Sequence, residues 1–310
     1  MAFTVERYIQ ETRVIKSEPD QKQSKAFQIL YYGTFPEMEH TELPSLKICN
    51  TYNMDSKIVN IDGLWYMIFD CNLYEYIQLF IYSFFSDECI ENFDALYYAV
   101  KRDYLISLRR KEEAEFFERE LRTHPFTMPQ YSDRYEKILY NIKYVSFPLL
   151  CLHEMVHYSF INELKKEFLK KTIQAAIELT KESLEEKNPV SMLLYDCNIV
   201  QEIYCDCEAL YGILLLFSKF KNTINPKDIV DSAVLNIMGI LMIFESKDLA
   251  DSNTVMGNYL RLNVLVNYVH VLIIHQYLEE EILAEVNDIV KYYFTDIFPR
   301  LRELKIKYRK

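Results

Sequence analysis

The residues Val145-Ser-Phe-Pro-Leu-Leu-Cys-Leu-His153-Glu154-Met-Val-His157 decide how this chain is read. Apolar side chains recur here at helical spacing. Ser146 offers a cap, and Pro148 suits a first turn, where its missing N–H costs no hydrogen bond. The pattern predicts a helix over 147–186, interrupted once and stopped at Asn188-Pro189. Most of the chain beyond Pro189 repeats the same period. Helices are expected over 191–220, then, after a connection beginning at Asn225-Pro226, over 227–244 and 259–290, with a basic helical end over 300–310. Upstream the pattern changes. Segments 57–61 and 64–69 flank Asp62-Gly63, a dipeptide that supplies the positive φ angles of a tight hairpin turn. Segment 27–32 reads as strand-like, with turn signals at Gly33, Pro36 and Pro44. Segments 72–85 and 90–121 read as helices, and a loop with Pro125 and Pro129 comes after them. The fold class expected is α+β, predominantly helical, with one small sheet. Residues 1–45 form an N-terminal segment packed on the core, and 46–310 form a single domain.

Composition supports this reading. Only 5 Gly and 9 Pro in 310 residues argue for long helices with few turns. A net charge of −11 disfavours nucleic-acid binding, which needs clustered Lys and Arg. A membrane span needs about 18 uninterrupted apolar residues. The best candidate, 233–244, is shorter and contains Asn236, while 64–85 is broken by Asp70, Asn72 and Glu75, and 260–278 carries Arg261. No apolar leader opens the chain, and 7 scattered cysteines, an odd count, read as free thiols rather than a disulfide framework. The expectation is a soluble, cytoplasmic protein, with no nucleic-acid partner and no sign of its oligomeric state.

The chemistry lies in H-E-x-x-H. His153 and His157, at i and i+4, project from one helix face, close enough for both imidazoles to bind one zinc. Glu154 is placed to take a proton from a zinc-bound water and to deliver one to a leaving amine. A catalytic zinc takes a third protein ligand and keeps a position for water. Downstream, Glu202-Ile-Tyr-Cys-Asp206-Cys-Glu-Ala209 puts Glu202, Asp206 and Ala209 on one helix face. Glu202 is the expected third ligand, with Glu208 the fallback. Asp206 is placed to accept the free N–H of a ligand histidine, and Ala209 lets two helices approach. Apolar neighbours around Glu202 argue against a solvated acidic stripe. Cys205 and Cys207 point about 200° apart on a helix, so both cannot serve one metal. Cys205 reads as an ordinary buried thiol.

The HEMVH and EIYCDCEA segments resemble the gluzincin zinc metallopeptidases, in the branch whose second motif reads E-x-x-A-D-x-x-A. The 45-residue interval between His157 and Glu202 is compatible with that branch. Asn50-Thr-Tyr and the hairpin after it resemble the region before the motif in HtpX-type peptidases, whose membrane spans this chain lacks. The soluble Lit phage-exclusion peptidase family is the nearer resemblance, the ImmA/IrrE family a more distant one. Cys205 stands where that branch has Ala, and no glycine lies near the first motif. The resemblance implies a zincin-like helical core with the hairpin edge near the motif helix, and an edge strand that pairs with extended substrate.

The function expected is zinc-dependent hydrolysis of a specific intracellular protein or peptide substrate. Tyr158, Tyr259, Arg261, His270 and His275 are candidates to stabilise the oxyanion, and the residues do not choose among them. Two competing readings stand beside it. One is a di-iron site built from Glu154/His157 and Glu37/His40, which leaves His153 unexplained. The other is a non-catalytic zinc-binding sensor or interaction protein; four protein ligands would mark it, and the sequence displays three.

Overall fold

The computed structural model describes residues 4–35, 43–86, 89–127, 133–161, 167–184, 193–219, 224–247 and 252–308. The chain divides into two compact units, Met1–Tyr131 and Ser132–Lys310. Residues 1–45 fall with the hairpin in the first unit, and the H-E-x-x-H helix belongs to the second.

The first unit contains α1 (Val5–Thr12), α2 (Gln21–Thr34), β1 (Ser45–Cys49), β2 (Lys57–Ile61), β3 (Leu64–Asp70), α3 (Cys71–Phe84), α4 (Cys89–Ser107) and α5 (Lys111–Thr123). The sheet has order β1-β3-β2, with β3 parallel to β1 and antiparallel to β2. The expected hairpin is present. Asp62 and Gly63 both adopt positive φ, 50° and 84°, as a two-residue turn between right-twisted strands requires. The Asn60 side chain accepts the Gly63 N–H at 3.1 Å.

Two expectations in this unit need correction. Residues 27–32 are part of helix α2, not a strand. Asp20 caps that helix by accepting the Gln23 N–H at 2.8 Å, and Phe27, Tyr31 and Thr34 form its buried stripe. Ile29, which a strand would place beside Phe27 and Tyr31, is 65% exposed. Segment 90–121 is two helices rather than one. Arg109 turns left-handed (φ 61°), and the Arg109 and Arg110 N–H groups bond Ile106 and Leu105 carbonyls, each at 2.9 Å. This is the Schellman closure, made with arginine where glycine is usual.

The second unit is helical among its described residues: α6 (Asp133–Ile161), α7 (Glu167–Ser183), a 3₁₀ turn (Leu193–Tyr195), α8 (Cys197–Lys219), α9 (Pro226–Ser246), α10 (Ser252–Ile274), α11 (Glu281–Tyr292), a π turn (Tyr293–Ile297) and α12 (Phe298–Lys307). Helix α6 starts 14 residues earlier than its expected start at Phe147, so Pro148 lies inside it and leaves the Tyr144 carbonyl without its i+4 donor. Ser146 is no cap; its hydroxyl accepts from Asn236 of α9 at 2.9 Å. Burial of Val145, Phe147, Leu149, Leu150 and Cys151 holds the helix together through the proline. The expected stop at Asn188-Pro189 lies outside the described residues, as do Glu37 and His40. Asn225-Pro226 is not a connection but the start of α9, with the Asn225 side chain accepting the Lys227 N–H at 3.0 Å. The 259–290 pattern breaks at Gln276 (φ 61°), whose own N–H and that of Tyr277 bond Ile273 and Leu272 in a second Schellman closure.

Helix α6 packs against α8 and α9, and α10 packs against α7 and α8. At the α6–α8 contact a side chain on Gly212 would sit 3.4 Å from Leu152, so the two backbones run close there. Helix α9 is long and apolar enough to cross a membrane by length and composition, with mean hydropathy 1.7, but 89% of that window is buried inside the protein, as in a core helix.

Candidate metal centre

Three helices meet at the cluster. Helix α6 supplies His153 and His157, α8 supplies Gln201, Glu202, Cys205 and Asp206, and α10 supplies Arg261. Met155 and Val156 are buried on α6 while both histidines keep some exposure, so the motif lies along the rim of the packed face.

The Nε2 atoms of both histidines converge on one carboxylate. His153 Nε2 lies 3.4 Å from Glu202 Oε2, and His157 Nε2 lies 3.3 Å from Glu202 Oε1. The rings stand 5.1 Å apart at 71°. The other nitrogen of His153, Nδ1, meets Asp206 Oδ1 at 3.0 Å. His157 Nδ1 faces the Gln201 amide at 3.3 Å. Arg261 grips Asp206 with two bonds, Nε to Oδ2 at 2.8 Å and Nη2 to Oδ1 at 2.9 Å, and its Nη2 also lies 3.3 Å from Glu202. The side chain of Asp206 is 1% exposed and that of Glu202 36%, so the cluster is sealed at Asp206 and open at Glu202.

Electrostatics reflect this order of burial. Burial alone would lower the His153 pKa, but hydrogen bonds to Asp206 and Glu202 push it up to about 10. Burial opposes the Asp206 charge, yet Arg261 and His153 hold its carboxyl below the usual range. Glu202 is likewise held well below that range, the two histidines and Arg261 outweighing burial. Burial raises the Cys205 thiol, and the charges of Glu202, Asp206 and Glu154 raise it further. The two carboxylates thus favour the protonated form of His153 between them.

The donor set also suits a metal ion. A ring nitrogen of each histidine and Cys205 Sγ lie within 4.8 Å of one another, so these three side chains can hold an ion. The two imidazole Nε2 atoms reach different oxygens of Glu202, at 3.4 and 3.3 Å, so the carboxylate sits beside this trio as an ion-pair partner of both rings. Asp206 takes the His153 N–H, leaving Nε2 as the free donor. With His157 bound through Nε2, its Nδ1–H would face Gln201, whose amide offers a carbonyl oxygen when turned over.

Glu208, six residues beyond Glu202, is turned about 120° around the helix, and its charge acts on Cys207 and Tyr204. Of the five oxyanion candidates, Arg261 is brought to the cluster, with its guanidinium engaged on Asp206 and Glu202, while Tyr259 packs its ring 4.9 Å from Phe294. Sequence reasoning missed the Arg261–Asp206 clamp, which joins residues 55 positions apart and leaves no local signal. It also set aside Cys205 as a donor, although Cys205 is one turn from Glu202 on the same helix face. No family model matches the chain, and no curated protein or solved structure matches it.

Proposed function

We propose that this protein is a zinc-dependent metalloendopeptidase of the gluzincin kind, with His153, His157 and Glu202 as the ligands and a protein or peptide as substrate. The observation that carries this reading is the convergence of both Nε2 atoms on Glu202, with Glu154 on the same helix between the two histidines. Zinc bound there supplies a Lewis acid that polarises a peptide carbonyl and makes water acidic enough to attack near neutral pH. Glu154 takes the proton of the attacking water and returns it to the departing amine nitrogen as the C–N bond breaks. Asp206 fixes the His153 tautomer and makes Nε2 a stronger donor. Arg261 fixes Asp206 in turn, and its two parallel bonds hold the carboxylate plane. Glu202, the most exposed member, leaves a face of the cluster accessible to an extended peptide.

Glu154→Gln should retain zinc and lose hydrolysis of a mixture of unstructured peptides read by mass spectrometry. Retained turnover would remove Glu154 from this role. The second reading, a non-catalytic zinc-binding protein, draws support from the nearness of Cys205, since four protein ligands are the mark of a closed site.

A further inference from the structure

We infer that Cys205 is a fourth protein donor, so that His153, His157, Glu202 and Cys205 together close the resting metal site; this rests on the proposed metal centre. Three observations converge on it. Cys205 Sγ lies within 4.8 Å of a ring nitrogen of each histidine. Sulfur and nitrogen ligands on one tetrahedral ion stand about 3.5 Å apart, so a side-chain adjustment on the order of 1 Å completes the set. Cys205 is three residues from Glu202 on α8, one turn along the same face, whereas Cys207 is rotated away by about 200°. Finally, Cys205 Sγ makes no hydrogen bond to any described residue, unlike Cys49, whose thiol is engaged by the Phe69 carbonyl at 3.6 Å.

The ligand set would then be two nitrogens, one oxygen and one sulfur. The Cys205 thiol would give up its proton on binding the ion, and its thiolate would fill the place that a catalytic site keeps for water, so that Cys205 would hold the hydrolytic site latent. The sulfur also shifts preference towards thiophilic ions such as cadmium over manganese or magnesium.

Cobalt(II) spectroscopy tests this on the full chain, in a Cys197→Ser background that removes the exposed thiol. The expected result is a near-ultraviolet sulfur-to-cobalt charge-transfer band, together with the visible bands of four-coordinate cobalt. In Cys205→Ala the charge-transfer band should vanish while the visible bands persist, and hydrolysis of unstructured peptides by the zinc form should rise. Visible bands without a charge-transfer band before the Cys205 substitution would overturn the fourth donor and leave the His-His-Glu site standing. A charge-transfer band that survives in Cys205→Ala would assign the sulfur elsewhere and also overturn it. Visible bands unaffected by His153→Ala, or no cobalt bound at all, would overturn the metal centre and the fourth donor together.

Discussion

Each unit holds a carboxylate cluster built on a buried aspartate, and the two clusters differ in what neutralises them. In the first unit Asp70 and Asp103 are fully buried. Asp70 accepts backbone N–H groups of Thr51 and Asn72 at 3.1 and 3.0 Å, the Thr51 hydroxyl, and Arg13 at 3.5 Å. Asp103 is met by Arg102 at 2.6 Å, Tyr76 at 2.8 Å, Lys16 at 3.1 Å and Asn72 at 3.2 Å. Arginine and lysine cannot trade their protons for a metal ion, so this cluster is a lock tying the N-terminal segment to the sheet and to α4. In the second unit Asp206 is just as closed, but Glu202 is half open and two of its three partners are imidazoles. An imidazole gives up one proton and becomes a ligand. The first cluster is neutralised by arginine and lysine alone, whereas the second adds two imidazoles to Arg261 and so has groups that can exchange a proton for an ion.

The sharpest break between the two clusters should be in stability. Asp103→Ala leaves Arg102, Lys16 and Tyr76 facing an empty buried position. It is expected to cost about 3 kcal/mol in denaturant unfolding, the low end for a broken buried pair because both cations are partly exposed. Added zinc should not restore it. Glu202→Ala should behave differently: it lowers the metal-free midpoint less than Asp103→Ala does, because Glu202 is partly exposed and solvent can take its place beside the histidines. It should abolish most of the roughly 2.7 kcal/mol that zinc at about 100 times its Kd confers on the unsubstituted chain. An undiminished zinc effect in that variant would remove Glu202 from the ligand set and leave His153, His157 and Cys205 as the donors.

Asp206→Asn should weaken zinc by about 10- to 100-fold in a competitive chelator titration, since an amide can present its NH2 to His153 and releases Arg261. A wild-type affinity would reduce Asp206 to a packing role. The smallest effect expected is one of pH. Burial works against the Asp103 charge, but Arg102, Lys16, Tyr76 and Asn72 hold the carboxyl below its ordinary range. A depressed folded pKa contributes stability above the unfolded value of about 3.9, and that stability is lost as pH falls through the folded value. The gap in unfolding free energy between the unsubstituted chain and Asp103→Asn should therefore be full at pH 7 and narrow once the pH drops below about 4. A gap that widens on acidification would reverse the sign assigned to Asp103.

Legibility in the sequence divides along a similar line, between local and long-range causes. The hairpin is legible because Asp62-Gly63 states its own turn geometry, and the facing of His153 with His157, and of Glu202 with Asp206, comes from helix period alone. The helix breaks at Arg109 and Gln276 are illegible because each puts a residue with a Cβ at a left-handed position that glycine would have advertised. Pro148 misleads in the other direction, since packing on both sides carries α6 through a residue that normally starts or ends a helix. The pairing of Arg261 with Asp206 joins two helices far apart in the chain, and no spacing rule reaches that far.

Elemental mass spectrometry of the purified chain beside His153→Ala tests the central claim most directly. About one zinc per chain, lost in the variant, is the result predicted for a His-His-Glu centre. Absence of zinc from both proteins after incubation with zinc under mildly reducing conditions would contradict it, and would make the α6–α8 cluster a second structural lock like the one around Asp70 and Asp103.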